Sequence, residues 1–129
     1  MITGFTFSPD LDSETITTYL GDDLDHIRTI FNLFLEETTK EMENIRLLTD
    51  NGNWEEAGKI AHKIRPTFIM VGFPKYENLL KDFEVTVKGS EDPAELKNIL
   101  AQLEEAVDFS VKTVQGDYSR LNTTLSNES

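Results

Sequence analysis

From Leu24 to Thr49 the chain carries neither glycine nor proline, and its apolar residues return at the three- and four-residue intervals of a helix face. Ile27, Phe31, Phe34, Met42, Ile45 and Leu48 define that face, Ile30 and Leu35 widen it, and Thr38 fills its middle. This pattern predicts one long amphipathic helix, capped by Asp22 or Asp23 and running to about Thr49. The turn Asp50-Asn51-Gly52-Asn53 closes it, with Asn53 placed to cap the next helix.

The same period recurs downstream. Trp54 opens a second helix whose buried side is Ala57, Ile60, Ala61, Ile64, Phe68 and Val71, with Gly72 as its stop. Tyr76, Leu79, Leu80, Phe83 and Val87 mark a shorter helix to about Lys88, which Gly89-Ser90 ends. Asp92 and Pro93 then start a long last helix through Leu96, Ile99, Leu103, Val107, Val114 and Leu121. Upstream, Ser13–Leu20 reads as a short helix ended by Gly21, preceded by an irregular segment whose Phe5 and Phe7 lie against the body.

Strand signals are nearly absent after residue 8. The expectation is an all-α chain and a single domain over residues 1–129, as an antiparallel up-down four-helix bundle with a short additional N-terminal helix. The bundle should span about residues 22–121, and the polar residues 122–129 should fray.

Composition narrows the function. The formal net charge of −12 argues against nucleic-acid binding and against adhesion to anionic membranes, both of which rest on clustered Lys and Arg. Cysteine is absent, which excludes disulfides, thiol chemistry and Cys-based zinc sites. His26 and His62 lie far apart and form no metal-ligand motif with nearby carboxylates. No run approaches the roughly 18 apolar residues of a membrane span, and no secretory leader pattern opens the chain, so a cytoplasmic location is expected.

His62 stands out against this background. On the helical wheel it points away from the buried side, among Gly58, Lys59, Arg65, Pro66 and Ile69. From Ala57 through Tyr76 there is no acidic residue, while Lys59, Lys63, Arg65 and Lys75 lie within the stretch. In a chain with 24 acids and 12 bases, that is a local inversion of sign, suited to a phosphoryl group or an acidic partner pocket. Gly58 and the apolar Ile69 leave room for a docking partner. Pro66 removes the hydrogen bond that would end on the His62 carbonyl; a proline inside a helix costs about 3 kcal/mol and predicts a kink. A lone exposed histidine is more often an ordinary surface residue, and His26 receives that reading. No nucleotide-binding or catalytic motif accompanies His62.

The run Ala61-His62-Lys63-Ile64-Arg65-Pro66-Thr67, with Val71-Gly72, Leu79-Leu80 and Glu84 after it, resembles the signature of histidine-containing phosphotransfer domains. The family pattern is Ala-His-x-Leu-Lys-Gly-Ser/Ala, then an apolar-Gly pair, then Leu and Glu on the next helix. The resemblance implies that His62 is the phosphoacceptor of a two-component phosphorelay. It would take a phosphoryl group from a receiver-domain aspartate and pass it to another receiver. The partners implied are receiver domains of response regulators or of a hybrid sensor histidine kinase. The chain itself would be a phosphocarrier without a cofactor, not an enzyme, because the receiver supplies the acidic pocket, the Mg²⁺ and a lysine; a monomer is expected, because the exposed patch around His62 must stay open for partners. Arg65 stands where the family has Lys and keeps the positive charge; Pro66 stands where it usually has Gly. That departure motivates a second reading, a non-phosphorylated helical adaptor that binds a receiver or kinase through the same face.

Overall fold

The computed structural model of the chain describes residues 5–127 and is all-helical in its regular structure, with no strand among the described residues. Its elements are α1 (Ser13–Leu20), α2 (Leu24–Asp50), α3 (Trp54–Met70), a 3-10 turn (Pro74–Tyr76), α4 (Glu77–Gly89) and α5 (Pro93–Asn127). Helix α2 packs against α3 and α5, α4 packs against the same two helices, and α1 lies on α3. The four long helices therefore share one core, built from the apolar faces that the periodicity marks. Phe31, Phe34, Ile27, Met42 and Ile45 of α2 are buried with Phe68 of α3, Phe83 and Leu80 of α4, and Leu103 and Leu121 of α5. The Phe34 and Phe68 rings meet edge to face with centroids 5.1 Å apart, a geometry that aromatic quadrupoles favour. Thr38 sits in the middle of this face, 1% exposed, and its hydroxyl has no hydrogen-bond partner among the described residues.

Caps set the ends of the helices. The Asp23 carboxylate accepts from the backbone N–H groups of Asp25 and His26, and Asp92 accepts from that of Ala94. Asn53 does not cap α3 with its side chain. Its backbone, at φ −90° and ψ 58°, leaves the extended geometry that side-chain caps use, and its own N–H donates to the Leu48 carbonyl at 2.7 Å. At the other end of α3, the Phe73 N–H donates to the Phe68 carbonyl and the Gly72 N–H to the Ile69 carbonyl. That paired closure needs a left-handed residue, and Gly72 supplies it at φ 102°. A side chain there would also press on Ile16 and Leu11 of the N-terminal segment, 3.0 and 3.1 Å from a Cβ.

The helix containing Pro66 continues to Met70, with the proline on the exposed side. The last helix runs further than its polar tail suggests: residues 122–127 are helical rather than frayed, while Glu128 and Ser129 lie outside the described residues. Leu121 is fully buried and Leu125 packs beside it one turn on, while Arg28 of α2 donates to Asn122 at 3.5 Å. Contacts with the body thus hold a stretch whose own composition is mostly polar.

The N-terminal segment lies against the body, as its aromatics imply. Phe7 is buried against Phe31, and Phe5 meets Phe7 edge to face. Arg120 covers the Phe5 ring and donates to the Thr6 carbonyl, and Asp117 accepts from the Ser8 N–H at 2.9 Å. Burial pushes the Asp117 carboxyl above its ordinary value, with the Ser8 N–H and Arg120 opposing that shift.

Close approach of α3 and α4 rests on Gly58. A Cβ at this position would lie 2.7 Å from Val87 Cγ2, so the helices touch where any larger residue would hold them apart. Val87 is β-branched and cannot swing aside freely. Gly58→Ala is therefore expected to lose about 1–3 kcal/mol to overpacking, partly offset by about 1 kcal/mol of helix propensity. In a Val87→Ala background the same substitution should cost nothing or stabilise. Urea denaturation of the double-mutant cycle measures this, and equal costs in both backgrounds would contradict the contact.

Candidate functional site

His62 projects from α3 with its side chain 64% exposed, on the side of the helix that turns toward α4. The two helices bring Glu84 against it. Glu84 Oε1 lies 2.9 Å from His62 Nδ1, and Glu84 Oε2 accepts from Arg65 Nη1 at 2.9 Å. His62 and Arg65 are three residues apart, on the same face of α3, so one carboxylate from α4 reaches both. Arg65 and Glu84 are each about three-quarters buried, with side-chain exposures of 22% and 23%.

This contact fixes the chemistry of the ring. A carboxylate offers only lone pairs, so the proton of a neutral imidazole facing it must be on Nδ1. Nε2 then carries the free lone pair. His62 is thereby held with its donor nitrogen engaged by the protein and its other nitrogen free to accept.

The basic side chains of this face do not form a free positive patch. Lys59 pairs with Glu56 at 2.9 Å, one turn earlier on α3. Lys63 pairs with Glu41 of α2 at 2.9 Å, and Glu41 also accepts from Asn44 at 2.7 Å. Arg65 is committed to Glu84. The acid-free stretch is real in sequence, but Glu56 lies just before it and Glu41 and Glu84 arrive from other helices. Hydrogen bonds from Lys63, then Asn44, hold the Glu41 carboxyl below its ordinary value, and Glu41 in turn raises the Lys63 ammonium. Lys75 stacks over Tyr76 and Phe109 instead of approaching His62.

A cleft of about 250 Å³ opens between α3 and α4, lined by Glu55, Gly58, Lys59, His62, Glu84 and Lys88. Of the residues singled out by sequence, it gathers Gly58, Lys59 and His62. Gly58 is buried rather than set on the exposed face, because α4 packs over it, and only its edge reaches the cleft. Lys63 leans toward α2, Arg65 braces Glu84 from the side, Pro66 is exposed, and Ile69 is half-buried; none of these lines the cleft. Glu84 and Lys88 are the residues that the wheel of α3 alone does not bring in. They stand four apart on α4, so a wheel of α4 drawn beside that of α3 would have paired them. A larger hollow, about 540 Å³ beneath the N-terminal segment, has Glu14 as its one ionisable lining residue.

His26 is exposed near the start of α2, and its backbone N–H is engaged by the Asp23 cap. Among the described residues no group of three or more His, Asp or Glu side chains is placed to hold a metal ion. No described helix is long and apolar enough to cross a membrane. Comparison of the chain with protein-family models, with curated proteins and with solved structures finds no match.

Both the ring contact and the Glu41 network are open to measurement. In ¹⁵N NMR of the imidazole, neutral His62 should show the Nδ1–H tautomer, and Glu84→Ala should shift it toward the commoner Nε2–H form; an unchanged tautomer would break the link to Glu84. Glu41, titrating below its ordinary 4.5 in the folded state, contributes stability that is present above that value and lost as pH falls through the folded-state value. Denaturation midpoints of the wild type should therefore fall more steeply below about pH 4.5 than those of Glu41→Gln.

Proposed function

We propose that this chain is a phosphocarrier of the histidine-containing phosphotransfer type, its four long helices arranged as an up-down antiparallel bundle, with His62 as the phosphoacceptor. The observation that carries this reading is the Glu84 carboxylate on His62 Nδ1, which leaves the Nε2 lone pair to an exposed ring. An exposed histidine with one nitrogen bonded to the protein is built to be attacked from, not merely to be solvated.

In the proposed step, Nε2 attacks the phosphorus of a receiver's aspartyl phosphate in line. The P–N bond forms as the acyl phosphate P–O bond breaks, and the aspartate leaves as a carboxylate. The ring keeps its Nδ1 proton and becomes cationic, and Glu84 lies in place to balance that charge. Transfer to a second receiver reverses the same steps. Phosphoryl transfer needs mainly positioning and charge stabilisation, so a rigid helix with an oriented nucleophile is a sufficient contribution when the partner brings the metal. The resemblance of residues Ala61 to Glu84 to the family signature supports the same reading, with Arg65 in the place of the family's lysine and Glu84 in that of its glutamate.

Incubation with a phosphorylated receiver domain and Mg²⁺ should place an acid-labile, alkali-stable phosphate on the protein, and His62→Gln should abolish it. Receiver binding that ignores phosphorylation and survives His62→Ala would instead assign the adaptor role.

A further inference from the structure

The structure assigns the phosphate-holding cation of this site to Lys88 of α4, not to Arg65; the assignment rests on the phosphoacceptor reading of His62. Four basic side chains of α3 and α4 are candidates, and three are already engaged by carboxylates: Lys59 by Glu56, Lys63 by Glu41 and Arg65 by Glu84. Lys88 is exposed, lines the same cleft as His62, and makes no hydrogen bond or ion pair among the described residues.

The engaged cations differ in what they can give. Arg65 is mostly buried and holds the carboxylate that orients the imidazole, so turning it to a phosphate would release Glu84 and the ring with it. Lys63 sits on α2's side, away from the cleft. Lys59 reaches the cleft, but its charge is offset by Glu56. Glu55 and Glu84 also line the cleft, and both would repel a phosphoryl group bonded to Nε2. A dianionic group beside two carboxylates requires a cation with no competing partner, and Lys88 is the one the cleft contains. Its place in the last turn of α4 fits a cation before any phosphoryl group arrives, since the helix dipole favours positive charge there. Four residues separate Lys88 from Glu84, so the helix that orients the nucleophile also presents the ligand for what the nucleophile carries.

The test uses the full chain phosphorylated on histidine by phosphoramidate, which needs no receiver. The P–N bond forms at Nε2, ammonia leaves, and ³¹P NMR tracks the product. In wild type, the second ionisation of the phosphoryl group should lie about 0.5 pH unit below its value in Lys88→Met, the scale of one surface ion pair. The phosphate should also leave Lys88→Met about threefold faster, because the lost cation favours the bound dianion over the departing, charge-dispersed phosphoryl group. Lys88→Arg should restore both values. Lys97→Met, which removes an exposed cation on α5 outside the cleft, should change neither. If the phosphate forms on His62 but titrates and departs alike in wild type and Lys88→Met, the assignment of Lys88 fails while the phosphoacceptor reading stands. If no phosphate forms on His62, both fail.

Discussion

The Glu84 carboxylate has two oxygens, and the fold gives each a different partner on α3: His62 Nδ1 on one, Arg65 on the other. Arg65 and Glu84 are largely buried, whereas the imidazole is largely exposed. The ion pair therefore anchors the carboxylate in the wall between the helices, and the carboxylate in turn anchors a ring that would otherwise sample several rotamers in water. Removing Arg65 would free Glu84 to turn outward, and removing Glu84 would leave Arg65 with an unpaired, mostly buried charge. The orientation of the His62 ring is thus a property of the α3–α4 contact, not of α3 alone.

That contact depends in turn on backbone features on both sides of the site. Gly58, one turn before His62, lets α4 approach until Val87 fills the space a side chain would occupy. Gly72 closes α3 through a left-handed residue and sends the chain through Pro74–Tyr76 into α4. The Phe73 and Tyr76 rings, tilted at 5.6 Å, and the Phe68–Tyr76 contact hold that turn against the core. One glycine sets how close the helices come and the other sets where the second one starts, and together they decide whether Glu84 reaches Nδ1. Pro66, between them, sits on the exposed side of a helix that continues past it, so the imidazole stays outward despite the missing hydrogen bond to its carbonyl.

The helices were legible because their faces obey one period: most of the apolar residues at helical spacing on α2, α3, α4 and α5 are buried and the rest, such as Ile30, Leu48, Ile60 and Leu79, pack partly buried against them, and Asp23 and Asp92 cap as their positions imply. The relations between helices could not be read in the same way. Asn53 looks like a cap, but its N–H is drawn to Leu48 and its side chain is left out. Residues 122–127 look like a loose tail, but Leu125 and Asn122 have neighbours on the body. Gly58 falls with the exposed residues on a wheel, yet α4 covers it. Likewise the exposure of His62 follows from the wheel of α3, whereas its partner, and the partners of Lys63 and Arg65, belong to α2 and α4. Periodicity reports which way a residue points, and only packing reports what it meets.

The electrostatics of the face carry this further. A chain of net charge −12 that offered bare cations around His62 would draw its own carboxylates to them, and that is what Lys59, Lys63 and Arg65 have done. Their pairs nevertheless differ in strength of commitment. Lys59 and Glu56 are both mostly in water and held within one helix, so their pairing exchanges easily. Glu41, by contrast, is buried and bound by two donors, and Arg65 is walled in with Glu84. An incoming anion therefore meets a graded set: the unpaired Lys88, two exposed lysines each in an ion pair, and Arg65 walled in with Glu84. In the proposed role this grading separates two tasks that a uniformly basic patch would confuse. The Arg65–Glu84 pair keeps the imidazole aimed, and Lys88 and Lys59 respond to the group it carries.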